Sequence, residues 1–105
     1  MQVIAITDIV ADKNPAIVMK TIFSDKNITM GTVVIPPGAR IPKQGIGVHE
    51  GDEYSLILKG SIKTMSGGKE YQVQGGQATF IPAGEEHWCC NDDTEECEIV
   101  WFLTK

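Results

Sequence analysis

The sequence predicts an all-β fold, and three observations carry that expectation. No window of helical length places apolar residues at three-to-four spacing. Strand-length runs of β-branched, aromatic and other apolar residues recur instead, separated by Gly, Pro and Asn. These runs fall at near-regular intervals with glycine-bearing turns between them, which suits a sandwich or a barrel without choosing between the two.

Taken in order, Ala16–Phe23 is rich in β-branched and apolar residues, and Asp25-Lys26-Asn27 supplies a turn before Ile28–Ile35, so a hairpin is expected. Pro36-Pro37-Gly38 ends the second strand, because two prolines remove two backbone donors. Arg40–Asp52 holds Pro42, Gly45, Gly47 and Gly51 and reads as a long loop, the kind of segment in which functional residues gather on a rigid scaffold. Glu53–Lys59 is a strand that Gly60 breaks. Ser61–Met65 pairs through Ser66-Gly67-Gly68 with Lys69–Val73, Gln77–Ile81 follows, and Glu95–Leu103 closes the chain. No repeat, low-complexity tract or linker divides the sequence, so residues 1–105 are read as one domain.

Alternation assigns faces to these strands. Glu53, Ser55 and Ile57 share one face, and Tyr54, Leu56 and Leu58 share the other, which is apolar and needs a cover. The last strand repeats the pattern, with Cys97, Ile99, Trp101 and Leu103 on one side and Val100 and Phe102 on the other. Two faces that both need covering, in a domain of marginal size, lead us to expect a homodimer unless the N-terminal segment lies over them.

The most informative stretch runs from Gly75 to Asn91. Gly75-Gly76 marks a turn, Pro82 fixes φ, Gly84 permits a conformation most residues avoid, and His87 then opens a strand that places His87, Cys89 and Asn91 on one face. The chain has only two histidines, and the other, His49, also sits beside a turn. Taken singly, each is more often a solvated residue than a ligand. Gly76, Pro82, Gly84, His87 and Asn91 nevertheless stand at spacings that resemble the second motif of the cupins, and Pro37-Gly38, His49, Glu53 and Gly60 resemble the first. That first motif usually opens with His-x-His, and here Gly47 replaces its first histidine.

The resemblance implies a cupin-type jelly-roll barrel, also described as a double-stranded β-helix, with His49, Glu53 and His87 as metal ligands and Glu53 as the residue on which catalysis depends. It implies one divalent transition metal, and the ligand types do not separate Fe, Mn, Ni, Zn and Cu. Gln44, in a loop longer than the usual run, is the candidate to compensate for Gly47. Two functions are expected from different classes: a metal-dependent enzyme, oxygenase-like or isomerase/lyase-like, acting on a small molecule, or a non-catalytic small-molecule-binding or sensing module. Small cupins of this kind are often homodimers.

Composition narrows the partners. A net charge of -5, with acidic residues scattered along the chain, argues against nucleic acid. The first residues have no basic region and their apolar run is interrupted by Thr7 and Asp8, so neither a signal peptide nor a membrane span is expected. Three cysteines, an odd number, do not form a disulfide framework, which fits a cytoplasmic protein. Cys89 and Cys90 are adjacent, so they face opposite sides of a strand and lack the paired spacing of a structural zinc site.

Overall fold

The computed structural model describes residues 1–12 and 16–105. Asp25 makes the first hairpin. After β1 (Val18–Ser24), its carboxylate accepts the backbone N–H of Asn27 at 2.7 Å and of Ile28 at 3.0 Å, which turns the chain into β2 (Ile28–Ile35). Then follow β3 (Arg40–Ile41), β4 (Glu53–Lys59), β5 (Ser61–Ser66), β6 (Lys69–Gln74), β7 (Ala78–Ile81), β8 (His87–Cys90) and β9 (Cys97–Thr104).

The strands form two sheets, one of five in the order β1-β2-β9-β4-β7 and one of four in the order β3-β8-β5-β6, with every pairing antiparallel. The last strand lies in the centre of its sheet, between β2 and β4, so the larger sheet is completed only when the C-terminal strand arrives. This is the jelly-roll expected from the resemblance. Besides strands, the described residues contain one short 3-10 turn at Ile6–Asp8, and no helix among them is long and apolar enough to cross a membrane.

Several boundaries differ from the sequence reading by a residue or two, and two of the differences have a physical reason. Arg40–Ile41, expected inside a loop, pairs with Cys90 and Cys89 as the edge of the smaller sheet. A two-residue ladder at an edge needs backbone proximity rather than β-propensity, so a run of glycines and prolines around it does not forbid it. The last strand begins at Cys97 rather than Glu95, because the Asn91 side chain holds Asp93 N–H and Glu95 C=O in the preceding turn.

Inward side chains form the core between the sheets. Ile35, Ile57, Ile62 and Cys97 are fully buried at its floor, with Val33, Val73 and Ile99 packed around them. One close approach is decisive higher up. Gly31 on β2 stands opposite Trp101 on β9, and a Cβ there would overlap both the indole and the Lys20 carbonyl, so glycine is what lets the indole lie flat across β2.

The outer face of the larger sheet is different. Phe23, Met30, Phe102, Tyr54 and Phe80 stand in register across all five strands, and Tyr54 and Phe80 stack at 5.0 Å between ring centroids. Phe23, Tyr54, Leu56 and Phe80 are exposed. The N-terminal segment touches this sheet where Lys20 Nζ donates to Ile6 O at 3.0 Å.

Candidate metal centre

The two loops that carry the histidines are tied together by backbone. Gly84 N–H donates to His49 O at 2.9 Å, and Ala83 N–H donates to Asp52 Oδ1 at 2.8 Å, so the Pro82–Gly84 turn grips the loop before β4. Gly47 and His87 form an isolated antiparallel bridge, with N–H···O distances of 2.8 and 2.9 Å. Glu53 is then fixed as the first residue of β4, paired with Leu103 on one side and Ile81 on the other.

This framework brings His49, Glu53 and His87 together. Their donor atoms lie within 4.8 Å of one another. His49 Nε2 is 3.3 Å from Glu53 Oε1, and the two imidazole centroids are 4.9 Å apart at 45°. Two donors of one metal, each at about 2.1 Å, stand no more than about 4.2 Å apart, so a small side-chain rotation closes the set around a cation.

His87 is already oriented for that role. Its Nδ1 lies 2.9 Å from Glu85 O, and because a carbonyl only accepts, Nδ1 carries a proton, which in a neutral ring leaves the lone pair on Nε2. Nε2 has no partner among the described residues. A Cβ on Gly47 would stand 3.8 Å from this Nε2 at ordinary van der Waals distance, so a side chain at position 47 would enter the centre. Gln44 is exposed in the β3–β4 loop and does not line the cavity described next.

The three side chains border a cavity of about 330 Å³ whose other walls include Met19, Val33, Ile99, Trp101 and Leu103. Alternation puts Ile57 on the same face of β4 as Glu53. Ile57 lies lower, against a smaller space of about 60 Å³. Asp12, Met19 and Thr21 also line the larger cavity, and nothing in the spacing of the sequence signals that the N-terminal strand would reach the centre. Cys89 is part of the wall as well. Burial, and then the neighbouring Glu53 charge, push its thiol up to about 12, so it is a neutral thiol rather than a thiolate ligand. Trp101 Nε1 is the one buried side-chain donor without a partner among the described residues.

The model of the cupin domain family matches residues 31–103, a span that contains both motifs and all three clustered residues. The chain belongs to the cupin domain family. Solved cupin structures share its fold at low identity. A predicted oxalate decarboxylase from Thermotoga maritima superposes with a TM-score of 0.85 at 22% identity, over 98% of each chain. The polyketide cyclase RemF from Streptomyces resistomycificus gives 0.84 at 18%, covering 99% of this chain and 79% of that one. The cupin domain of Schizosaccharomyces pombe Cnp3 gives 0.79 at 15%, with 88% of this chain matched to 66% of that one. No curated protein matches. This cupin keeps the second histidine and the glutamate of the first motif and the histidine of the second, and it lacks the first histidine at Gly47.

Proposed function

We propose that this cupin binds one divalent transition metal through His49, Glu53 and His87 and acts on a small molecule held in the adjoining cavity. The observation that carries the reading is the convergence of two imidazoles and a carboxylate, within 4.8 Å, at the wall of a largely apolar cavity. Such a donor set suits a first-row metal and leaves coordination positions open to water and ligand. When bound, the metal supplies Lewis acidity and, for a redox-active ion, electrons.

The chain's own contribution is positional. Glu85 O holds the His87 proton on Nδ1, and His49 sits beside the Glu53 carboxylate, so the three donors face one point. Glu53 is the residue assigned to the chemistry, because it is the anionic donor and neighbours both the cavity and its smaller extension. Apolar walls exclude bulk water from the ligand. A largely apolar lining with a few convergent polar groups names a small molecule with an apolar body and an oxygen-bearing group directed at the centre.

Metal analysis of protein purified without an affinity tag tests the reading, followed by a melting curve with and without chelator. Bound metal and a lower melting temperature on chelation are expected. If chelation leaves the melting temperature unchanged and the protein carries no metal, the metal reading fails. A second reading, a non-catalytic binding or sensing module, is favoured by one observation, the glycine at position 47, since three protein donors hold a metal less firmly than four. Oxygen consumption or product formation with candidate small molecules separates the two.

We further propose that two copies associate through the outer face of the larger sheet, where the row from Phe23 to Phe80 crosses all five strands and Tyr54 and Leu56 are exposed. Sedimentation should show a dimer in the parent protein and a shift to monomer in Tyr54→Lys. A parent that sediments as a monomer at about 50 μM, an ordinary working concentration, would sink this proposal.

A further inference from the structure

The layer beneath the metal centre is unusual for a core. On the larger sheet, Ser55 pairs with Trp101 on one side and with Thr79 on the other. On the smaller sheet, Thr64 pairs with Cys89 and with Tyr71. Three hydroxyl side chains therefore face the interior at one level, between Glu53 and His87 above and the Ile57–Ile62 floor below. They line the cavity of about 60 Å³, which Glu53, His87 and Cys89 also border.

None of these hydroxyls has a side-chain hydrogen bond among the described residues, whereas Ser66 Oγ, one layer away on β5, donates to Glu85 Oε2 at 2.6 Å. Nor are they sealed off, since Trp101 Nε1 is the one buried side-chain polar atom that lacks a partner there. Free hydroxyls with accessible oxygens, in a space this size, are suited to hold water. One water takes roughly 30 Å³ and needs two to four polar partners, so there is room for about two. Ser55, Thr64, Thr79 and Glu53 supply those partners.

This cavity also shares a wall with a groove at its side. β7 ends one sheet and β6 ends the other, so their edges face each other without pairing. Between them lies a groove of about 550 Å³ whose lining includes Tyr71, Gln72, Gln77 and Glu85, and which shares Thr64, Thr79 and Ile81 with the small cavity. Polar side chains thus run from solvent at Tyr71 through Thr79 and Thr64 to Ser55 and Glu53.

We propose that the slot between β6 and β7 is a second, hydrated entrance to the centre, which brings water to it while the largely apolar cavity on the other side holds the organic ligand. Separating the two routes lets water reach the centre while a ligand fills the main cavity. Its use in chemistry rests on the metal reading; the water file does not, because strand register alone brings the hydroxyls to one level.

The test uses metal-free protein. A high-resolution crystal structure should show ordered waters bonded to Thr79, Thr64, Ser55 and Glu53. Thr64→Val with Thr79→Val, which removes two hydroxyls at nearly constant shape, should empty the file, and Thr64→Ser with Thr79→Ser should retain it. In solution, Thr79→Cys should react with a small charged methanethiosulfonate at least about tenfold faster than the parent's own cysteines. A dry cavity in the parent, waters that persist in the double valine variant, or a Thr79→Cys no faster than the parent would each overturn the proposal. Equilibrium dialysis with Zn²⁺ or Mn²⁺ alone reads the metal site separately. A dry cavity in a protein that binds metal removes the entrance and leaves the centre standing, and a wet one in a protein that binds none does the reverse.

Discussion

His87 and Asn91 belong to one motif, His87 opening β8 and Asn91 following its last residue, yet the fold uses them in opposite ways. Asn91 is 1% exposed and every polar group it has is engaged. Its Nδ2 donates to Ile35 O and to Glu95 O, each at 2.8 Å, and its Oδ1 accepts Asp93 N–H at 2.9 Å. Its backbone is paired with Gly38 and Ala39. His87 is half-buried, has its backbone and Nδ1 engaged, and keeps Nε2 free toward His49 and Glu53. A polar residue with nothing left to bond holds the fold together, and one held rigid with a single lone pair left over is available for chemistry.

Asn91→Ala should give the largest effect that this contrast produces. It strands two carbonyls and one N–H in or near the closed end of the barrel, so a loss of about 3 kcal/mol or more is expected in denaturant melts. Metal affinity per folded molecule should not change. His87→Ala should show the opposite pattern. It removes one donor of three, so metal binding should fall by about 100-fold or more by equilibrium dialysis, while the metal-free protein loses no more than about 1 kcal/mol. If the two variants exchange these phenotypes, or if both lose stability equally, the division between them is wrong.

A third variant sharpens the comparison by adding a donor instead of removing one. Gly47 pairs with His87 through the backbone, and a Cβ there meets nothing closer than 3.5 Å. Gly47→His should therefore be accepted by the fold and should raise metal affinity by about tenfold or more, because it supplies a fourth protein ligand. An unchanged affinity would mean that the centre is shaped for something other than a cation.

These residues also show what the sequence could and could not disclose. The hairpin at Asp25, the strands from Glu53 to Val73 and the convergence of His49, Glu53 and His87 were legible, because turn chemistry, alternation and motif spacing are local patterns. Asn91 was legible as the last position of the second motif, but its partners Ile35 and Glu95 were not. The contact between Gly31 and Trp101 lies 70 positions apart and depends on register between β2 and β9, which no local pattern encodes. The bridge between Gly47 and His87 was hidden for a related reason, since a backbone pair inside a glycine-rich loop leaves no mark on side-chain periodicity. The hydroxyl layer was half visible. Alternation put Ser55 on the same face as Glu53, but bringing Thr64 and Thr79 to that level needed both sheets to be assembled.

Asp25 supplies the smallest and last test, because it shares Asn91's bonding without its burial. Its carboxylate accepts the N–H groups of Asn27 and Ile28, and those two bonds, in that order, hold it below its ordinary value of 3.8 despite full exposure. A carboxyl whose folded value is depressed contributes stability above its unfolded value and loses it as pH falls through the folded one. Asp25→Ala should therefore shift the melting midpoint downward at neutral pH, by much less than Asn91→Ala, since water replaces the lost acceptor at an exposed turn. The difference from the parent should shrink below pH 4 or so, as the parent's carboxylate takes up its proton. Paired melts at neutral pH and near pH 3 check this. A shift as large as that of Asn91→Ala would show that engagement alone, and not engagement combined with burial, decides what a polar residue is worth to this fold.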